Sequence, residues 1–484
     1  MFFLKKEISY LLLFFLSGCM VGPKYQKPDI QLPQKYSENK NSTSSADLLH
    51  WWTFFNDPIL SNLIEEAIIH NYDLQIAMEK IFQSRAVYMI AKANLYPEID
   101  AFGAINRSHA SQNLSSDSLV NLQNSDSCNT TQDSSSTTET QTTKNQSFFQ
   151  AGFDTIWELD FWGKLRHRRR GAYYEYQAQT ERTKDVYLIL VADIAKSYIE
   201  SRTLEKKIAL LKEQLKIDLR LIDLLHDRFI SGIDSEIPLL DQQEILNESK
   251  NQLIILETAY KQTIISIALL LGKNPEEFIL TPKICKVPQS TKTLKAGLPS
   301  ELLRRRPDIA EAERLLAAAT EYVGEAIAQW FPSFSLLGYV DFESNKASTW
   351  FSHKSLAWSI GPSVRWPIIT FGRISYLVKE KKSIQRQALL TYSKTIVNAL
   401  GDVENSFIAY FNGEKQIKTI EKKLETATQK TTLTKDLFAH GLASEIDLLY
   451  IEKNRINTEL ELTDTQQIVS SALVSVYKAL GGEW

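Results

Sequence analysis

The chain is short of residues that interrupt secondary structure: its 484 residues include only 18 Gly and 14 Pro. So few breakers imply long uninterrupted elements rather than many turns, and long helices are the first expectation. A charge excess is also missing. With 55 basic and 58 acidic residues the formal net charge is -3, too weak a field to draw nucleic acid, which is excluded as a partner. The three cysteines and seven histidines form no CxxC, no HExxH and no His pair at metal-ligand spacing, so neither a metal nor another cofactor is expected. No nucleophile-and-base motif or paired carboxylates suggest an enzyme, and no GxxxxGK[ST] loop is present to couple nucleotide energy.

The N-terminal apolar run is too short to span a bilayer. Lys5 and Lys6 precede the stretch Tyr10 to Leu16, followed by Leu16-Ser17-Gly18-Cys19, the pattern of a secretory signal over residues 1–18. Small residues followed by Cys resemble the bacterial lipoprotein signal, in which cleavage leaves Cys19 first and acylated; the alternative is an ordinary signal with an incidental Cys. Acyl chains on Cys19 would tie the chain to a membrane surface. Position 20 is Met rather than the Asp that, by the same resemblance, marks inner-membrane retention, so the outer membrane is expected. Cys128 and Cys285 lie in segments of different character, and a disulfide between them is not the expectation.

What the chain does contain is itself, twice. "FISGIDSEIPLLD" (229–241) and "FAHGLASEIDLLY" (438–450) share Phe-x-x-Gly-x-x-Ser-Glu-Ile-x-Leu-Leu at an offset of 209. The same offset pairs Trp157 with Trp366, Trp162-Gly163-Lys164 with Phe371-Gly372-Arg373, and Leu271-Gly272 with Leu480-Gly481. Upstream, Leu95-Tyr96-Pro97 meets Trp330-Phe331-Pro332 at 235, so the first copy holds 26 more residues (235 minus 209). That excess falls in the Ser/Thr/Asn/Gln tract 108–146, read as a flexible exposed loop. The boundaries that follow are an extended linker over 19–50, a first repeat over 51–275, a second linker over 276–296 and a second repeat over 297–484.

Two periodicities alternate inside each copy. Phe149, Ala151, Phe153, Thr155 and Trp157 share one parity against Gln150, Gly152 and Asp154; Phe334, Leu336, Val340 and Phe342 do so against Ser335, Tyr339, Asp341 and Glu343. Period two with terminal aromatics predicts four strands, at about 98–108, 148–157, 333–343 and 356–366. Elsewhere Leu204, Ile208, Leu211, Leu215, Leu219, Ile222, Leu225 and Phe229 recur about every 3.6 residues. The helix from Gly163 to Ile230 would reach roughly 100 Å at about 1.5 Å per residue, and Gly372 to His440 matches it. Gly232 and Gly441 stop these helices, Ser235 and Ser444 can cap the returning ones, and further helices run from Pro58 to Leu95 and Pro307 to Trp330.

Strands with one apolar and one polar face suit a transmembrane barrel, but four cannot close one, so chains must pool them. Here the residues carry a resemblance. "WWTFFNDPILSNLIEEAIIHNYDLQIA" (51–77), "GLPSELLRRRPDIAEAERLLAAA" (297–319), "AQWFPSFSLLG" (328–338) and "ALGGEW" (479–484), in this order and with the repeat, resemble the TolC-type outer membrane factors, in the lipoprotein branch that serves efflux systems. The resemblance implies an α+β membrane protein in which a long α-helical coiled-coil barrel continues into a β-barrel. Each chain would contribute four strands to a trimeric, twelve-stranded outer-membrane barrel. It implies a homotrimer, a periplasmic adaptor and an inner-membrane pump as partners, and an exit duct for drugs, metals or other small solutes. A type I protein secretion duct is the alternative, and a coiled-coil surface adhesin a weaker one.

Residue roles follow from the same resemblance. The periplasmic aperture would be lined by Asp241, Ile446, Asp447, Tyr450 and Lys453, and Gly232, Ser235, Glu236, Gly441, Ser444 and Glu445 would meet the adaptor. Leu239-Leu240-Asp241 keeps the family's Leu-Leu-Asp, whereas Leu448-Leu449-Tyr450 departs from it, so an aromatic ring with Asp447 as the charged element replaces an Asp ring. The competing reading is that these residues cap and solvate a coiled-coil turn. Trp157, Trp162 and Trp366 fit an interfacial belt. The Arg clusters at 166–170 and 304–306 are read as solvated or intramolecularly paired.

Overall fold

A computed structural model describes residues 20–29, 50–109, 145–280, 286–290, 302 and 304–482. Cys19, Cys128 and Cys285, the signal over 1–18, and most of the two linkers and of the 108–146 tract lie outside the described residues. The numbered elements are α1 (Pro58–His70), α2 (Tyr72–Ala93), β1 (Glu98–His109), β2 (Asn145–Leu159), α3 (Lys164–Ile230), α4 (Ile237–Leu270), α5 (Pro307–Ala328), β3 (Ser333–Ser344), β4 (Leu356–Arg365), α6 (Arg373–Ala439) and α7 (Glu445–Ala479). The two long helices, α3 and α6, have 67 residues each, while the returning α4 and α7 have 34 and 35. One expected helix is divided: Asn71 breaks the run from Pro58. Its side-chain oxygen accepts from Leu74 N–H at 2.9 Å and its amide donates to the Leu270 carbonyl at 2.9 Å, so a tertiary partner turns a mid-helix residue into a cap.

The chain divides into two compact units. The first gathers segments 1–24, 87–171 and 320–382 and holds the sheet. Its strands run antiparallel in the order β1-β2-β3-β4, so the two expected hairpins also pair with one another through β2 and β3. Phe153 lies opposite both Ala101 and Val340, and Val340 opposite Trp358. Residues opposite one another share a face. One face therefore collects Ile99, Ile105, Phe149, Phe153, Val340, Phe342, Trp358 and Ile360. The other collects the carboxylates Glu98, Asp100, Asp154, Glu158, Asp341 and Glu343, with Arg365 near the base. Gln150 Nε2 ties two of them, donating to Asp341 at 2.7 Å and Glu343 at 3.1 Å. Among the described residues, the outward edges of β1 and β4 carry no strand partner.

The second unit gathers segments 25–86, 172–319 and 383–484. Its main core is built on "WWTFF", a short 3-10 turn whose Trp51 is 1% exposed. Trp51 stacks on Tyr477 of α7 at 5.2 Å and 13°, and Ile64, Ile194, Ile199, Phe407 and Leu473 close around them. Two polar groups at its rim are paired: Tyr198 donates to Asp57 Oδ2 at 2.6 Å, while Asp57 Oδ1 caps α1 through Ile59 N–H at 2.9 Å. Truncating Trp51 removes this stacked ring without a replacement. Trp51→Ala is expected to cost about 3–5 kcal/mol, read as a lower denaturation midpoint in detergent.

Candidate functional site

Each long helix ends in the same turn. Gly232 (φ 69°) and Gly441 (φ 73°) lie in the left-handed region, and a Cβ at either would meet nothing, so the dihedral, not crowding, requires glycine. Ile233 N–H donates to Arg228 O at 3.0 Å and Leu442 N–H to Leu437 O at 2.9 Å, the same six-residue closure at equivalent positions of both repeats. Beyond the glycine the turns diverge. At the second, Ser444 Oγ accepts from Asp447 N–H at 3.1 Å and Asp447 Oδ2 accepts from Ser444 N–H at 3.2 Å, a reciprocal capping box. At the first, Ser235 forms no capping bond: α4 starts after Glu236 with Pro238 in its first turn, and the turn carries an Arg228–Asp234 ion pair at 2.6 Å instead. Gly232, Ser235, Glu236, Gly441 and Ser444 are all exposed.

Glu445 and Ile446 face their own chain. Glu445 accepts from Arg220 on α3 at 2.8 and 3.1 Å, and Ile446 packs on the buried cluster that includes Leu221 and Leu449 in the seam between α3 and α7. Lys453 extends the seam inward, giving its ammonium to Asp218 Oδ1 at 2.7 Å. Asp218, with a side chain 0% exposed, also accepts from Gln242 Nε2 at 2.9 Å and Ser249 Oγ at 3.2 Å. One carboxylate on α3 thus holds α4 and α7 together, and in this conformation the Lys453 charge is committed to it. Asp241, Asp447 and Tyr450 remain exposed. Sequence reasoning passed over Asp218, although a signal was present: it lies seven residues after Leu211 and seven before Leu225, a polar residue on a buried heptad stripe.

At the base of the sheet the three tryptophans are oriented by their indole N–H groups. Trp157 donates to Leu95 O at 3.0 Å and Trp366 to Trp330 O at 3.1 Å, repeat-equivalent bonds whose donors are offset by 209 and acceptors by 235. Trp162 donates to Pro332 O at 2.9 Å and stacks on Phe331 at 4.7 Å. Rings with one bonded polar tip and an apolar body suit a membrane interface. Two members of the Arg clusters are paired within the chain: Arg166 with Asp160 at 3.1 Å, and Arg306 with Asp308 at 2.7 Å and Asp402 at 3.2 Å.

A sheet apolar on one face and acid-rich on the other, continuous in sequence with paired helical hairpins, defines a channel-forming outer-membrane protein. The chain belongs to the outer membrane efflux protein family, whose description matches residues 63–273 and 298–482, one segment per repeat. It is similar to the cation efflux system protein CusC of Escherichia coli O6:H1, 28% identical with 99% of each chain covered. It is also similar to the probable outer membrane lipoprotein SilC of Salmonella typhimurium, 27% identical over 99% of each. Among solved structures, the outer-membrane channel OprN superposes with a TM-score of 0.82 at 25% identity, covering 96% of this chain and 100% of that one. A crystal structure of CusC does so at 0.78 and 25%, with the same coverage.

The turn geometry predicts two responses. The Ser444 hydroxyl and backbone N–H hold the Asp447 carboxyl below the ordinary carboxylate range, as the Arg220 guanidinium holds Glu445. Carboxyls depressed in the folded state contribute stability above their unfolded values and lose it as pH falls, so protection from hydrogen exchange at the second turn, measured against the intrinsic rate, should fall below about pH 4. Lys453→Ala leaves Asp218 with Gln242 and Ser249 but no cation, and should destabilise by about 3 kcal/mol. The double variant Asp218→Leu with Lys453→Met is expected to recover most of that loss in the same unfolding measurement.

Proposed function

We propose that the protein is the exit duct of a tripartite efflux system, assembled as a homotrimer that pools four strands per chain into a twelve-stranded barrel. The observation that carries this reading is the sheet: one face apolar, one face lined with carboxylates, both outer edges open. An open edge in hydrocarbon leaves backbone groups unsatisfied at several kcal/mol each. Closure by two copies would give about eight strands, an interior filled by its own side chains; three copies give twelve and leave a lumen. Asp100, Asp154, Asp341 and Glu343 suit that wet lumen, and Phe153, Val340, Trp358 and Ile360 the lipid.

The helices support the same assembly. Ile254 and Leu269 of α4 and Leu390 and Val397 of α6 are each more than 60% exposed, apolar surface for neighbouring copies to cover. One described helix, α4, is long and apolar enough to cross a membrane; the duct reading places it in this helical wall. The turns at Gly232 and Gly441 form the periplasmic end, where the exposed Ser235, Glu236 and Ser444 offer polar contacts to an adaptor, and an inner-membrane pump supplies energy and chooses cargo. Asp241, Asp447 and Tyr450 face the aperture, while Lys453 acts on it through Asp218. Acyl chains on Cys19 add a covalent membrane anchor.

Native mass and single-channel recording test the proposal together. A trimer that opens steady channels in planar bilayers is the expected outcome; a monomer, or a trimer that passes no ions, removes the duct reading. Alanine at Lys453 should raise the conductance more than alanine at Asp447, because only the former loosens α7 from α3 and α4.

A further inference from the structure

The residues just after Cys19 are built into the fold. Val21 N–H donates to the Trp162 carbonyl at 3.1 Å, and the Val21 carbonyl lies 2.9 Å from His167 Nε2. The other ring nitrogen of His167 lies 2.6 Å from Glu321 Oε2, and both side chains are buried, 4% and 5% exposed. A carbonyl only accepts, so Nε2 carries its hydrogen and donates to Val21, which leaves Nδ1 paired with the Glu321 carboxyl. Glycines shape the rest of the contact. Gly22, at φ 126°, lies against the Gly324 Cα, where a Cβ on Gly22 has no room, and a Cβ on Gly324 would run into the His167 ring. A Cβ at Gly163 would run into Met20.

We infer that the start of α3 and the end of α5 form a receptor for the chain's own amino-terminal segment, with His167 as the residue that holds it and Glu321 as the residue that positions His167. Recognition is through the main chain: one N–H and one C=O of Val21 are both satisfied, as in strand addition, while glycines permit the close approach. A buried His and Glu pair is expensive to maintain unless each hydrogen bond is used, and the Val21 carbonyl completes the set. The receptor sits where β2 passes into α3, beside Trp162. Resting on the lipoprotein reading above, this holds the residues directly after the acylated position against the protein, so the lipid is carried on a short bound segment rather than on a free tether.

Hydrogen exchange of the full-length trimer in detergent tests this, read on the peptide that contains Val21, with the acyl mass of Cys19 read from the same digest. His167→Ala on the receptor side and Gly22→Val on the tail side should each speed exchange at Val21 by about tenfold. Gly22→Val changes no residue of α3 or α5, so misfolding of the first variant does not blunt the test. Glu321→Ala should release the segment as well, whereas Glu321→Gln, whose amide donates to Nδ1 while Nε2–H stays on Val21, should retain protection; a purely space-filling role would not separate the two. Unchanged exchange in both His167→Ala and Gly22→Val overturns the receptor. Protection at Val21 without acyl mass on Cys19 upholds the receptor and removes the lipid anchor.

Discussion

The outer edges of β1 and β4 are the constraint on which the rest of this structure depends. Every backbone N–H and C=O in hydrocarbon needs a partner, and water is not there to supply one. Four amphipathic strands, all that the described residues supply, cannot meet that demand alone. The register decides what each face does: opposing residues share a side, so the alternation along the strands becomes a mainly apolar surface and a carboxylate-bearing one. The exposed apolar residues on α4 and α6 raise the same problem in milder form, since water tolerates them individually but not as continuous stripes. Sheet edges and helix faces both point to assembly.

Duplication supplies the frame and divergence supplies the chemistry. Both repeats close the long helix with a left-handed glycine and the same pair of backbone bonds, because the helix geometry leaves little choice. The side chains that secure the turn differ: a capping box at Ser444, an Arg228–Asp234 pair at the first turn. The Asp218 node is a sharper case. The second-repeat equivalent of Asp218 is Ala427, and the first-repeat equivalent of Lys453 is Glu244, so the bond forms once and only between repeats. That asymmetry joins α7 to the first helical hairpin through a single buried carboxylate.

The strand-to-helix junction shows how a mobile-looking element is secured without a core of its own. Three tryptophans bond backbone carbonyls, Asp160 caps the first turn of α3 by accepting from Leu165 and Arg166 N–H at 3.0 and 2.9 Å, and the tail after Cys19 adds Val21 to His167. Each bond uses a polar group that would otherwise be stranded at an interface between water, lipid and protein. Glu325, on α5, has its carboxyl pushed up by partial burial despite Arg168, Lys164 and Lys381 nearby.

Periodicity along the chain was enough to place the four strands, the two 67-residue helices and the glycine turns, because those depend on neighbours within one or two turns of sequence. The offset of 209 exposed the duplication, and the motifs carried the family. What periodicity could not choose was partners. The break at Asn71 needed the Leu270 carbonyl. The joining of two hairpins into one sheet needed β2 to meet β3, and Lys453 found Asp218 across 235 positions of chain. His167 sits beside an Arg cluster that hid it, and only the fold brings Glu321 to its ring. Local spacing sets which backbone geometry a segment can adopt; which buried charge meets which donor is decided only when distant helices pack and water is excluded between them.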